Sequence, residues 1–191
     1  FQIINKISKK NKRVKLIKRK GKLGLNTAHI AGYEYAIKNK YSNLITMDAD
    51  LSHNPKEIPK IINLLNHYDF VIGSRYMKGG KNGMKSFRLL LSIYGNKVIK
   101  FLLNSKGTEF TSSFRGFNLK KIKNFHLKNI KSKGYSFFME TVITLEMKNS
   151  NICEIPIYFK NRRHGVSKIP KIEIFRTFKN LIFIYFNKLN H

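Results

Sequence analysis

The sequence predicts an α/β domain with a largely parallel sheet and helices on its faces. Three observations predict it. Short apolar runs alternate with helical stretches of ten or more residues. Polar clusters follow those runs where a parallel sheet binds ligands, at the strands' carboxyl ends. No internal repeat or linker divides the chain, so residues 1–191 read as one domain.

Val14 to Ile17 reads as a short strand. Gly21-Lys22-Leu23-Gly24-Leu25-Asn26 is then a loop, with Asn26 as N-cap of a helix from about Thr27 to Asn39. Tyr41 to Met47 is the second strand. Asn54-Pro55 opens the next helix, a capping side chain followed by a first-turn proline. Ile58, Ile61, Ile62 and Leu65 recur at helical spacing and predict its buried face. Phe70 to Gly73 is a buried strand ending in Ser74-Arg75-Tyr76. Gly79, Gly80 and Gly83 punctuate a mobile loop. Phe87, Leu90, Leu91, Tyr94, Val98, Phe101 and Leu102 mark a long amphipathic helix. Phe110 to Phe117 is extended. Leu119 to Phe125 and Phe137 to Met147 read as helices. Ile152 to Phe159 is a strand with Pro156 at an edge or bulge, and Ile172 to Leu189 is a final helix.

Composition narrows the function. With 42% hydrophobic residues the chain can build a core. Its 38 basic and 10 acidic residues give a net charge of +28. That charge fits a polyanionic partner, whether nucleic acid, anionic membrane or phosphorylated substrate. It equally fits lysines dispersed over a solvated surface. The single Cys153 excludes an internal disulfide and a cysteine-rich zinc site. His29, His53, His67, His126, His164 and His191 show no metal-ligand spacing. There is no signal-peptide pattern, and no apolar run approaches the roughly 20 residues of a spanning helix. The expected place is the cytoplasm or the surface of a membrane. The chain begins at Phe1, so a fragment of a longer protein is expected.

The chemistry concentrates in Asp48-Ala49-Asp50, directly after the run Leu44-Ile45-Thr46-Met47. Two aspartates that close repel each other unless a cation or nearby lysines compensate. Mg²⁺ or Mn²⁺ bridging a diphosphate meets that need with oxygen ligands. Helix-capping carboxylates in a turn are the plainer reading of the same residues. Phe159 to Lys168 combines cations with Gly and Ser, as a phosphate-binding or an ordinary basic loop would. Arg75 and Arg88 flank the glycine-rich loop and could grip a second phosphate, or pair with acids at the surface. Glu109 to Arg115 reads by itself as a strand with an ordinary arginine.

Taken in order, these segments resemble the dolichol-phosphate mannose synthase family of inverting family-2 glycosyltransferases. The matching residues are Gly21 to Leu25, Asp48 to His53 with Pro55, Gly73-Ser74-Arg75-Tyr76, Arg88 with Ser92 and Asn96, and Thr111 with Ser113-Phe114-Arg115. Lys133-Gly134-Tyr135 with Phe137 and Glu140, and Phe159, Arg162, Gly165 and Ser167-Lys168, complete the set. Each segment is weak alone; the ordered set, from about Val14 to the last helix, is strong.

The resemblance implies a Rossmann-like GT-A fold and mannosyl transfer from GDP-mannose to a dolichyl or other polyprenyl phosphate. It implies Asp50 as ligand of Mg²⁺ or Mn²⁺, with Asp48 positioning nucleotide and metal. Lys22, Gly24 and Ala49, with Arg162 and Lys168, would line the donor site. Arg75, Arg88 and Ser92 would hold the acceptor phosphate. It further implies a peripheral enzyme on the cytoplasmic face of a membrane, with residues 171–189 as a surface helix or packed on the sheet, and allows a membrane-anchoring partner subunit. The family's N-terminal nucleotide-binding strands have no counterpart here, about a quarter of the usual domain. Asn26 replaces a common Gly, and Glu109 stands where Asp is usual. A UDP-sugar donor and an inactive truncated partner subunit are the competing readings. A nucleic-acid-binding module is the remotest, because the aromatics fall at core spacing.

Overall fold

The computed structural model describes residues 2–84, 87–160 and 171–189, with positions 87, 88 and 171–174 as backbone alone. A helix α1 (Gln2–Lys10) precedes α2 (Leu25–Lys38), which leads into strand β1 (Asn43–Thr46). A short 3₁₀ turn and α3 (Ile58–Leu64) follow, then β2 (Phe70–Ser74), β3 (Lys81–Asn82) and α4 (Phe87–Leu102). β4 (Arg115–Asn118), α5 (Tyr135–Met147), β5 (Ile152–Pro156), β6 (Tyr158–Phe159) and α6 (Lys171–Leu189) complete the order.

The main sheet has the order β1-β4-β2-β5. β1, β2 and β5 run in one direction, as expected. β4 enters between β1 and β2 antiparallel to both. That inserted strand has a consequence for chemistry. Its amino end lies on the same rim as the carboxyl ends of β1, β2 and β5. Arg115 sits opposite Thr46 and Ile72, and Ser74 sits opposite Pro156.

β2 is buried along its whole length. Phe70 and Ile72 join the larger core with Tyr33 of α2, Ile99 and Leu103 of α4, the buried face of α5, and Leu181 and Ile184 of α6. Val71 joins a second core with Ile61 and Leu65 of α3, Phe114, Ile155 and Ile157. A strand covered on both faces reads as a continuous apolar run, which is why Phe70-Val71-Ile72 was legible.

Several local expectations change. Val14 to Ile17 forms no strand. A strand must share its backbone bonds with a neighbour, and no described strand lies beside this segment. Asn26 is not the cap of α2; Gly24 is, at φ 93°, and Thr27 Oγ1 donates to its carbonyl at 2.9 Å. Leu119 to Phe125 is a series of turns. The Asn118 side chain accepts from Lys120 N and Lys121 N, an alternative to helical bonding. Asn54 does cap the turn at Pro55, through Lys56 N. On α3, Ile61 and Leu65 are fully buried but Ile62 is 46% exposed.

The glycine-rich loop is also better fixed than expected. Lys81 and Asn82 form β3, paired in parallel with β6. Gly80 closes a turn onto the Met77 carbonyl, and a Cβ there would come within 2.7 Å of the Arg75 backbone. Pro156 marks where the chain leaves the main sheet for this two-stranded one, since proline cannot donate to a ladder.

Both long terminal-half helices turn apolar stripes outward. On α4 the inward face is Ser92, Asn96, Ile99 and Leu103, not the predicted stripe. Leu90, Tyr94, Val98 and Phe101 are exposed, Phe101 to 83%. On α6, Leu181 and Ile184 are buried while Phe175, Phe178, Ile182, Tyr185, Phe186 and Leu189 face outward.

Gly116, in the middle of β4, lies under α3. A Cβ there would sit 2.5 Å from Ile61 Cγ2 and 3.1 Å from Leu65 Cδ1. Gly116→Ala is therefore expected to lower the unfolding free energy by about 1–3 kcal/mol through overpacking. Urea denaturation measures it, and an unchanged midpoint would refute the close approach.

Candidate functional site

Four segments meet at the rim. β1 delivers Asp48-Ala49-Asp50, and β2 delivers Arg75 and Tyr76. The approach to β4 delivers Glu109 to Phe114. Ile157 to Lys160 follow β5. Backbone bonds tie them: Gly73 N donates to Phe114 O at 2.9 Å, and Ile157 N to Ser74 O at 3.0 Å. Thr46 Oγ1 donates to Ser113 O at 2.7 Å.

The aspartate turn is held from both sides. Ser52 N donates to Asp50 Oδ1 at 3.1 Å, and Ser52 Oγ donates to the same oxygen. Asp48 N donates to His53 Nδ1 at 3.1 Å. That bond requires an unprotonated Nδ1 and so selects one neutral tautomer. His53 is 3% exposed, stacked on Phe114 with centroids 5.1 Å apart and edge-on to Phe159 at 5.3 Å. Burial lowers its pKa, and the two aspartates only partly restore it. Between Asp50 and Ser52, Leu51 adopts φ 66°, a left-handed conformation that costs a branched residue on the order of 1 kcal/mol. Ser52 and His53 supply the bonds that hold this strained turn.

Both carboxylates are half-buried, and both offer hard oxygen donors. Among the described residues, no group of three or more His, Cys, Asp or Glu side chains converges. The donor set fits a hard divalent cation whose remaining ligands come from phosphate or water.

Arg75 makes a different contact from the one expected. Its Nε donates to Glu109 Oε2 at 2.7 Å and its Nη2 to Glu109 Oε1 at 2.8 Å. Nη2 also donates to Thr111 Oγ1 at 2.8 Å. The pair is 8% and 0% exposed. Burial by itself would push the Glu109 carboxyl up. Arg75 and the Thr111 donors reverse that and hold it below its usual range. Burial likewise opposes the Arg75 charge, and Glu109 more than restores it. Arg75 is thus the ordered half of a buried ion pair.

A second acid supports the first. Glu154 Oε1 accepts from Thr108 N at 2.7 Å and from Glu109 N at 2.9 Å. Thr108 Oγ1 also meets Ser74 Oγ at 2.8 Å. Arg115 is no ordinary arginine either. It is fully buried, donating to Ser112 O, Phe138 O and Phe110 O at 2.6, 2.8 and 3.1 Å. It lies over the Phe138 ring at 4.7 Å, and burial pulls its pKa down to about 9.

Other expected residues fall as follows. Ala49 is exposed at the turn, and Lys22 is exposed on the loop before α2. Gly24 caps α2. Ser92 Oγ bonds Tyr76 Oη, and Asn96 bonds Phe110 N, so both knit α4 to the rim. Lys160 N donates to Ser52 O at 3.0 Å, which carries the chain past the aspartate turn. Arg162 and Lys168 lie outside the described residues, as does the Arg88 side chain.

A match to the family model described as glycosyl transferase family 2 runs over residues 2–125, more than half of the chain. The chain belongs to this family. An undecaprenyl-phosphate mannosyltransferase of Micrococcus luteus is 32% identical over 157 residues, covering 82% of this chain and 65% of that protein. A polyprenol monophosphomannose synthase of Mycolicibacterium smegmatis is 33% identical over 159 residues, covering 82% and 60%. The chain therefore spans less than two thirds of either relative's length. The resemblance read from the ordered motifs agrees with both the family and these relatives.

Sequence reasoning missed His29. It lies on α2 with its ring 4.9 Å from Phe138. Burial and Arg115 lower its pKa to about 4, against the opposing pull of Asp48. Nothing in its spacing marked it. Glu109 and Glu154 did carry a signal, as two of only ten acids in a basic chain.

Glu109→Gln and Arg75→Met are each expected to cost about 3–5 kcal/mol, because each leaves the other charge buried and unpaired. The double variant Arg75→Met/Glu109→Gln should cost clearly less than the sum. A double-mutant cycle by urea denaturation tests this, and additive costs would exclude the coupling. His29 gives a pH dependence. Its folded pKa lies below 6.5, so the unfolded state binds more protons, and stability present above 6.5 falls as pH drops toward about 4. His29→Gln should flatten that decline in the denaturation midpoint; an unaltered profile would exclude His29 as its source.

Proposed function

We propose that this chain is the mannosyl-transferring domain of a polyprenyl-phosphate mannosyltransferase that uses GDP-mannose. The carrying observation is the placement of the Asp48-Ala49-Asp50 turn and the Arg75-bearing end of β2 on one rim, in a family whose two cited relatives are named for this chemistry. Mg²⁺ or Mn²⁺ at Asp50 and Asp48 would neutralise charge on the leaving nucleoside diphosphate.

The protein's own part is alignment and charge. Ser52 fixes the Asp50 carboxylate, and His53 fixes the Asp48 backbone. An oxygen of the acceptor phosphate attacks the sugar's anomeric carbon, the bond to the diphosphate oxygen breaks, and the configuration inverts. The acceptor is already an anion at neutral pH, so no strong general base is required. Cations must instead bring two anions together. Arg88, Arg162 and Lys168 are proposed for that role, with Lys22 and Gly24 on the donor side. The Arg75–Glu109 pair and Ser92 are proposed to shape the acceptor side.

A lipid-borne acceptor calls for a membrane-facing surface. The outward apolar stripes of α4 and α6 supply one, and Lys188 Nζ of α6 donates to Leu103 O, just after α4. No described helix is long and apolar enough to cross a membrane. We place the domain peripherally, on the cytoplasmic face.

The test mixes the chain, with any sequence encoded upstream, with radiolabelled GDP-mannose, Mn²⁺ and a polyprenyl phosphate. Labelled lipid is expected, falling by at least about a hundredfold in Asp50→Ala. Product from UDP-sugars but not from GDP-mannose would overturn the donor, and full activity in Asp50→Ala would overturn the site.

A further inference from the structure

An open groove of about 380 Å³ lies between the segment before α5 and the first turns of α6. It is lined by Lys131, Ser132, Lys133, Phe175, Arg176 and Lys179, with Asn180 at its end. None of these belongs to the rim. Four of them are cations. Glu140, the acid that packs here, accepts from Lys131 N at 3.0 Å and Ser132 N at 2.8 Å, so it fastens the backbone under the groove. Even with Glu140 counted against them, the cations are in excess.

A second observation is independent of charge. Ser132 is 5% exposed, and its Oγ is buried without a hydrogen-bond partner among the described residues. Buried hydroxyls are normally satisfied, so an unpartnered one in the lining of a cationic groove is a donor that an acceptor oxygen bound there would satisfy. A phosphate group offers that oxygen and neutralises the cations.

The surroundings indicate the source of the phosphate. Phe175, which lines the groove, is 70% exposed and begins the outward stripe of Phe178, Ile182, Tyr185, Phe186 and Leu189 on α6. Helical spacing puts Lys179 and Arg176 along one flank of that stripe. Lys131 Nζ lies over the Phe183 ring at 5.8 Å on the same side. Apolar residues beside phosphate-sized cationic space match a lipid at the interface, with headgroup in the groove and chains against the stripe.

We propose that this groove is a binding site for the phosphate of an anionic lipid headgroup, additional to the sites for donor and acceptor. It rests on the lipid-directed reading above only for the choice of a lipid over a soluble phosphate. The site would hold α6 at the bilayer surface and set the domain's orientation there.

The test is partition of the full chain onto vesicles of phosphatidylcholine alone or doped with phosphatidylglycerol, by sedimentation without nucleotide sugar. Lys131→Glu/Lys179→Glu is compared with Lys120→Glu/Lys123→Glu, an equal change of charge at exposed positions elsewhere. The groove pair should lose about tenfold or more of its binding to doped vesicles while the control pair loses little. Ser132→Ala, which leaves charge unchanged, should weaken doped-vesicle binding about threefold without lowering the melting temperature. Equal loss in both charge pairs would reduce the effect to diffuse attraction and overturn the site. Inorganic phosphate binding as tightly as doped vesicles would overturn the lipid source, as would RNA binding with the same variant dependence and no vesicle dependence. Because partition is read without turnover, its failure and the failure of mannosyl transfer are separate results.

Discussion

Arg75 and Glu109 face each other at 2.7 Å in a place that water scarcely reaches. Neither could be buried alone, since an isolated charge there costs several kcal/mol. Their meeting requires that the end of β2 and the approach to β4 share a rim, and only the antiparallel insertion of β4 provides that. The pair then fixes the 105–112 segment. Glu109 gathers Thr111 and Ser112 N–H groups, and Glu154 of β5 gathers Thr108 and Glu109. Three strands are thereby tied at the end where the aspartate turn emerges. Glu109 and Glu154 are thereby satisfied from within the protein.

This arrangement clarifies the uneven use of charge. A chain of net +28 keeps only ten acids, and two of the four at the rim have structural tasks. Glu109 and Glu154 brace the scaffold. Asp48 and Asp50 stand at the tip of β1, on a strained turn held by Ser52 and His53. His29 and His53, both kept neutral by burial, add no competing cation beside the aspartates. Arg115, fully buried, is bound by three carbonyls and two aromatic rings.

The outward faces of α4 and α6 reverse an ordinary rule. Apolar residues at helical spacing normally mark the core side. Here the spacing of Leu90, Tyr94, Val98 and Phe101 marks the outer side, while α4 packs inward through Ser92, Asn96, Ile99 and Leu103. Periodicity reports that a stripe avoids water. It does not report whether protein or lipid covers it.

The sequence by itself determined the alternation of strands and helices, the buried β2, the proline-capped turn after the aspartates and the ordered motifs that mark the family. Each depends on neighbours in the chain: an apolar run, a cap, a spacing. It also singled out Asp48 and Asp50, because acids are rare here and these two follow a strand. Only the tertiary structure decided that β4 runs against its neighbours and that Glu109 takes Arg75. It alone showed that Arg115 is buried, that His53 holds the aspartate turn, and that Lys81-Asn82 pairs with Tyr158-Phe159. Those features join residues tens of positions apart. A buried charge is tolerated only by its partner in space, and no local pattern names that partner.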